Sequence, residues 1–179
     1  MRAFIALELP EGFVEDVAAM ARVLGAAVEG RFVARQNYHV TLAFLGDIDE
    51  AQARDAMDAI DEACAGAVAV PIWPNGLGKF GRASDATLWM GLAPDPKLID
   101  LAGRLREALG SRGVSFDDKP FLPHFTLARR AHLPKASLPE LAFPLPSAAA
   151  RITLFRSTLG RDGAQYKPLY AAELPDDGV

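Results

Sequence analysis

The 179-residue sequence predicts an α+β fold built on mainly antiparallel sheet. Three observations carry this expectation. Strand-like and helix-like segments interleave without the regular alternation of a parallel doubly wound sheet. Strand-like runs are joined directly by turn signals, most plainly the "RDG" between "RITLFRSTLG" and "AQYKPLYAAEL". A strand motif, "HVTL" at His39, returns as "HFTL" at His124, which predicts two half-domains related by an approximate twofold.

Each element follows from local pattern. "MRAFIALELP" reads as a buried strand ending at Pro10. Phe13, Val17, Met20, Leu24 and Val28 recur at helical spacing, with Gly30 placed to end that helix. The strand carrying "YHVTLAFLG" follows. Asp49 and Gln52 have the spacing of a capping box, opening a second helix with an inner stripe of Ala53, Met57, Ile60 and Cys64. "AVAVPIW" and "ATLWMGL" read as two strands joined by a long glycine-rich connection. A third helix opens at Asp95, with Pro96 in its first turn, and buries Leu98, Leu101, Leu105 and Leu109. "PFLPHFTLAR" is the next strand. "PLPSAAA" from Pro144 is a small-residue loop and not a boundary, because "RITLFRSTL" after it is too short to fold alone. The last two strand-like runs form a hairpin, and "PDDGV" is a loose tail. No linker divides the chain, so residues 1–179 read as a single domain with one motif in each half.

Composition narrows the function classes. A chain that is 50% hydrophobic can bury a real core. A net charge of −4 argues against gripping long nucleic acid through its phosphates, which needs a basic footprint. The single cysteine, Cys64, excludes an intramolecular disulfide, and no Cys/His spacing suits structural zinc. A reducing, cytoplasmic setting is expected. "FIALEL" is too short for a signal-peptide core and contains Glu8, and no run of about 18 apolar residues marks a membrane span. The absence of a long exposed apolar segment leaves a monomer as the expectation.

The chemistry lies in the repeated motif. Strand alternation puts His39, Thr41 and Ala43 on one face, and Tyr38, Val40, Leu42 and Phe44 on the other. One such His-x-Thr would ordinarily be a hydrogen-bonded pair within a strand. Two copies, using two of the three histidines, read as a site. Imidazole, with an unperturbed pKa near 6.5, lets one copy act as base while the other acts as acid. Each threonine, roughly 6–7 Å along the strand, can donate its hydroxyl to an oxygen held between them. Arg129 adds a planar fork suited to phosphate. Strict alternation turns Arg129 away from Thr126, so a pocket role requires a twist or bulge between them. An anionic phosphodiester fits this set.

Other motifs fail on context. "GLGKFG", Gly76 to Gly81, matches a dinucleotide fingerprint in form, but strand-like sequence follows where a helix is needed. It reads as a flexible hairpin loop, with Lys79 a candidate phosphate neighbour. No nucleophile elbow or P-loop occurs, and no His or carboxylate spacing suits a metal. His132, in "AHLPK", reads as a solvated loop residue.

With these motifs and the flanking "MRAFIALELP", "GKFGRASDATLWMGL" and "LFRSTLGRDGAQYKPL", the sequence resembles the 2H phosphoesterase superfamily over residues 1 to about 173. Within it, the likeness is to the bacterial and archaeal RNA 2′,3′-cyclic phosphodiesterases, formerly called 2′-5′ RNA ligases. The resemblance implies a bilobal pair of antiparallel sheets around a central cleft, with helices outside. It implies hydrolysis of RNA 2′,3′-cyclic phosphate ends to 2′-phosphomonoesters, without metal or other cofactor. His39 and His124 match the catalytic histidines, Thr41 and Thr126 the phosphate-binding threonines, and Arg129 the arginine ending the second motif. His124 is assigned to activating water and His39 to protonating the leaving O3′, with pseudo-symmetry leaving the reverse open. Tyr166 matches a recurrent tyrosine that lines the cleft or packs in the core. Phe121 is a second candidate for the cleft, and parity puts Phe44 in the core. Expected partners are RNA ends or small cyclic nucleotides. End joining by the same residues, and RNA-end binding without turnover, are the alternatives.

Overall fold

The computed structural model describes residues 1–178. In chain order the elements are β1 (Arg2–Glu8), α1 (Glu11–Gly25), β2 (Glu29–Phe32), a 3₁₀ turn (Arg35–Asn37), β3 (His39–Asp47), α2 (Glu50–Cys64), β4 (Val70–Ile72), β5 (Pro74–Arg82), β6 (Asp85–Leu92), α3 (Pro96–Ser111), β7 (His124–His132), β8 (Ser147–Ala149), β9 (Arg151–Gly160) and β10 (Gly163–Glu173). One four-stranded sheet runs β10-β9-β1-β3 and the other β2-β7-β6-β5; β4 and β8 form a separate ribbon. Every strand pairing is antiparallel. The α+β expectation holds, with one motif strand in each large sheet: β3 carries His39 and β7 carries His124.

Local signals set the helices. In α2 both halves of the capping box form: Gln52 N–H donates to Asp49 at 2.8 Å, and Asp49 N–H donates to the Gln52 side chain at 3.0 Å. In α3 the Asp95 carboxylate accepts from Lys97 N–H, Pro96 occupies the first position, and all four predicted leucines are buried. The inner face of α2 is rotated from the predicted stripe. It consists of Ala53, Ala56, Ala59, Ile60 and Ala63, while Met57 and Cys64 are only half-buried beside it. Alanines allow α2 to pack closely against α3. No helix among the described residues is long and apolar enough to cross a membrane.

The remaining differences arise from long-range pairing. The first helix ends at Gly25, not Gly30. Gly30 lies in β2, where a Cβ would stand 2.9 Å from Ala131 Cα, so its role is close approach to β7. "GLGKFG" is not a loop but most of β5, paired along β6 from Leu77 to Arg82. β4 does not pair with β6; it takes Ser147–Ala149 of the expected "PLPSAAA" loop as its partner. The "PFLP" segment precedes the strand, which starts at His124. His132 ends that strand opposite Glu29, so it is exposed strand and not loop. The "PDDGV" tail is tied down in part: Pro175 O accepts from Ala69 N–H at 2.8 Å, and Asp177 pairs with Lys97. Val179, its last residue, lies outside the described residues. The predicted β9–β10 hairpin forms around Arg161 and Asp162, with Gly163 at φ 108°.

Candidate active site

The two motif strands share a defect that alternation alone does not predict. Ile5 and Ala6, adjacent in β1, pair with Ala43 and Thr41, leaving Leu42 as an extra residue. Leu88 and Trp89, adjacent in β6, pair with Ala128 and Thr126, leaving Leu127 extra. Each is a β-bulge one residue past the motif threonine, and each reverses the parity beyond it. Arg129 therefore returns to the face of His124 and Thr126, and it lines the cleft between the sheets. The equivalent shift in β3 moves Phe44 out of the core. Its half-buried ring lies under the Arg2 guanidinium, 4.7 Å from carbon to centroid, so the core placement read from parity is wrong.

The imidazoles are anchored alike. His39 Nδ1 lies 2.7 Å from Asn37 O, and His124 Nδ1 lies 2.6 Å from Leu122 O. A carbonyl can only accept, so each Nδ1 carries a proton and donates it. In the neutral ring, Nε2 is then the free lone pair. His39 Nε2 lies 3.1 Å from Thr41 Oγ, which donates to it in that tautomer. The 3₁₀ turn before β3 presents the Asn37 carbonyl, and Asn37 Nδ2 donates to Ala164 O of β10 at 2.9 Å.

The two halves differ in shielding. Phe4 stacks on His39 at 4.8 Å and Tyr166 meets it edge-on at 5.4 Å. Phe80 and Trp89 flank His124 at 5.4 and 5.5 Å. Burial pushes the His39 pKa down to about 4, the Asn37 carbonyl opposes that, and the positive charges of Arg129 and His124 push the same way as burial. His39 is thus neutral at pH 7 in the free protein.

The cleft brings together His39, Thr41, His124, Thr126, Arg129 and Tyr166 around a cavity of about 50 Å³. Asn37 and Val33 also line it and were not singled out in the sequence. For Asn37 the signal was an asparagine two residues before the motif histidine; for Val33 there was none. Two candidates lie elsewhere. Lys79 alternates away from the face shared by Gly78 and Phe80, and its amino group donates to Gly81 O at 2.8 Å. Phe121 packs partly buried against the core, 5.8 Å from the Arg106 guanidinium, because Arg106 holds this segment by donating to Lys119 O.

A sequence model of the 2′-5′ RNA ligase superfamily matches residues 9–161, across both motifs. The chain belongs to that superfamily. It is 28% identical to the RNA 2′,3′-cyclic phosphodiesterase of Thermotoga maritima over 179 residues, covering 97% of this chain and 95% of the relative. It is 31% identical to the protein of that name from Escherichia coli K12, covering 94% and 93%. Among solved structures, E. coli LigT complexed with ATP matches with a TM-score of 0.79 at 27% identity, covering 98% of each chain. TT0787 of Thermus thermophilus matches with a TM-score of 0.78 at 27% identity, covering 99% and 100%. The likeness read from the motifs therefore holds for family, for fold and for enzyme class, and this superfamily member is a phosphodiesterase-type hydrolase.

Chemically, the superfamily cleft offers two titratable rings, two hydroxyl donors and one fixed cation. That set suits an oxyanion whose bonds change with proton transfer on either side.

Proposed function

We propose that this protein hydrolyses RNA 2′,3′-cyclic phosphate ends to 2′-phosphomonoesters by a metal-independent, two-histidine mechanism. The observation that carries this is the matched anchoring of His39 and His124, each tied back through Nδ1 to the carbonyl two residues earlier, beside one small cleft. Donation from Nδ1 fixes the tautomer and leaves Nε2 for proton transfer. The names carried by the Thermotoga and E. coli relatives support the substrate class.

In this reading the phosphate sits between the rings, with Thr41 and Thr126 donating to its non-bridging oxygens and Arg129 neutralising its charge. His124 Nε2 removes a proton from water as the water oxygen bonds to phosphorus. The bond from phosphorus to O3′ breaks, and O3′ takes the proton held on His39 Nε2. The product is a 2′-phosphomonoester with a free 3′-hydroxyl, and the histidines have exchanged protonation states. His39 is neutral in the free protein, so its acid role requires the bound anion to raise its pKa. The donor set favours an anion over a metal ion: Arg129 is cationic, and no carboxylate among the described residues lines the cleft. The low overall charge suits recognition of a terminus over a long strand. We place the activity in a monomer in a reducing, cytoplasmic setting.

The test is phosphorus NMR of a cyclic-ended short RNA with the protein in excess EDTA, beside His39→Ala and His124→Ala. A 2′-monoester formed by the unmodified protein, with each variant slower by about 10²- to 10⁴-fold, is the expected result. An unchanged spectrum with the unmodified protein, or variants as fast as it, would overturn the proposal.

A further inference from the structure

We infer that Phe80, backed by Trp89, is the stacking platform for the nucleobase of the terminal nucleotide; this rests on the reading of the cleft as a nucleotide phosphodiester site. A cavity of about 50 Å³ has room for about three to five waters at roughly 10–15 Å³ each, the size class of a single phosphate group. A nucleoside attached to that phosphate must lie at the rim.

The two rims are unequal. On the His39 side, Phe4 is 4% exposed and closes over the ring together with Tyr166. On the His124 side, Phe80 is 46% exposed on the edge strand β5. Its ring meets His124 edge-on at 5.4 Å and 88°, and lies 5.3 Å from Trp89. An aromatic half in water, touching a histidine of the cleft, has ring surface left for a ligand.

The strands beneath are shaped for this arrangement. Gly78, Trp89 and Thr126 form one row across β5, β6 and β7, so the indole lies in register with a phosphate-binding threonine. A Cβ at Gly78 would stand 2.2 Å from the indole, and one at Gly91 would stand 3.2 Å from it. The glycines thus let Trp89 lie flat against the backbone, raising Phe80 beside the cleft mouth. The indole is held there although its buried Nε1–H has no partner among the described residues. Every base has a π-face, so such a platform gives affinity with little sequence preference.

The experiment compares the unmodified protein with Phe80→Leu, which keeps apolar packing without an aromatic face, and with Phe80→Tyr, which keeps the ring. Two ratios are read. One is kcat/KM for adenosine 2′,3′-cyclic phosphate over that for glycerol 1,2-cyclic phosphate, which has no base. The other is the calorimetric affinity for adenosine 2′-monophosphate over that for inorganic phosphate. We expect both ratios to fall by about 10- to 100-fold in Phe80→Leu and to be kept in Phe80→Tyr. Ratios unchanged in Phe80→Leu would overturn the platform, even if both rates fell together, since that pattern means Phe80 only supports His124. An unmodified protein that hydrolyses neither substrate would sink the catalytic reading alone, with the affinity ratio still deciding the platform.

Discussion

Leu42 and Leu127 occupy the same place in two different strands: each is the unpaired residue of a bulge directly after the threonine of its motif. Both side chains are fully buried, so the extra residue is anchored in the core while the chain beyond it changes face. The two positions two residues further on receive different side chains. In β7 the result is Arg129 at the cleft; in β3 it is Phe44, with Arg2 stacked over it. The approximate twofold of the motifs is therefore broken at the one position that supplies positive charge.

The bulge carbonyl in β3 has its own support. Arg106 Nε donates to Leu42 O at 3.0 Å, and its NH1 donates to Lys119 O at 2.7 Å. Arg106→Met keeps the stem but removes both bonds, leaving two carbonyls without this donor. A loss of about 1–3 kcal/mol is expected, seen as a fall in Tm of roughly 3–10 °C. Unchanged thermal unfolding would show that Arg106 is ornamental to the bulge.

The proposed mechanism has the threonines act through their hydroxyls. Thr41→Val and Thr126→Val preserve shape and remove one donor each, so each should lower kcat/KM for a cyclic phosphate by about 10- to 100-fold. Serine at the same positions should recover most of that. Steady-state kinetics on both pairs checks it; equal losses for serine and valine would point to packing as the cause.

Stability should depend on pH through His39. Its folded pKa, about 4, lies below the unfolded value near 6.5, so the unfolded chain binds the proton more readily between these limits. The stabilisation is complete above about pH 6.5 and is lost as the pH falls toward 4, by up to about 3 kcal/mol. Urea unfolding at pH 7 and pH 4.5 measures it. His39→Gln should have a smaller difference between the two pH values than the unmodified protein.

Proton uptake tests the assignment of roles. If His39 is the acid, a bound cyclic phosphodiester must charge it, so in His124→Ala, which lacks the base and the second imidazole, binding adenosine 2′,3′-cyclic phosphate at pH 6 should take up as much as about one proton per site. Calorimetry in buffers of different ionisation enthalpy reads this directly. No uptake, with tight binding, would overturn the acid role of His39.

Glycines of two kinds should answer alanine in opposite ways. Gly78→Ala drives a Cβ into Trp89 and should cost about 1–3 kcal/mol, with a changed near-ultraviolet circular dichroism signal from the indole. Gly103, within α3, has open space where its Cβ would be, so Gly103→Ala should stabilise by about 0.5–1 kcal/mol. Chemical denaturation of the two variants gives both values; equal signs would refute the close-approach reading of Gly78.

The sequence alone determined the features whose cause is local. Asp49 with Gln52, and Asp95 with Pro96, start helices because the capping groups are within a turn of each other. "RDG" closes a hairpin for the same reason. The repeated His-x-Thr was legible because the two side chains of each copy share a strand face before any bulge intervenes. Where a residue depends on a partner distant in the chain, the linear pattern misled. Gly76 to Gly81 resembled a loop because Gly78 makes room for Trp89 while Gly76 and Gly81 take positive φ, and "PLPSAAA" gave no strand signal because β4 supplies its pairing. Phe44 and Arg129 changed faces because register is decided between strands, and one unpaired residue inverts everything after it. The lowered pKa of His39 belongs to the same class. It arises from burial and from charges carried on β7, which only the folded chain brings to β3.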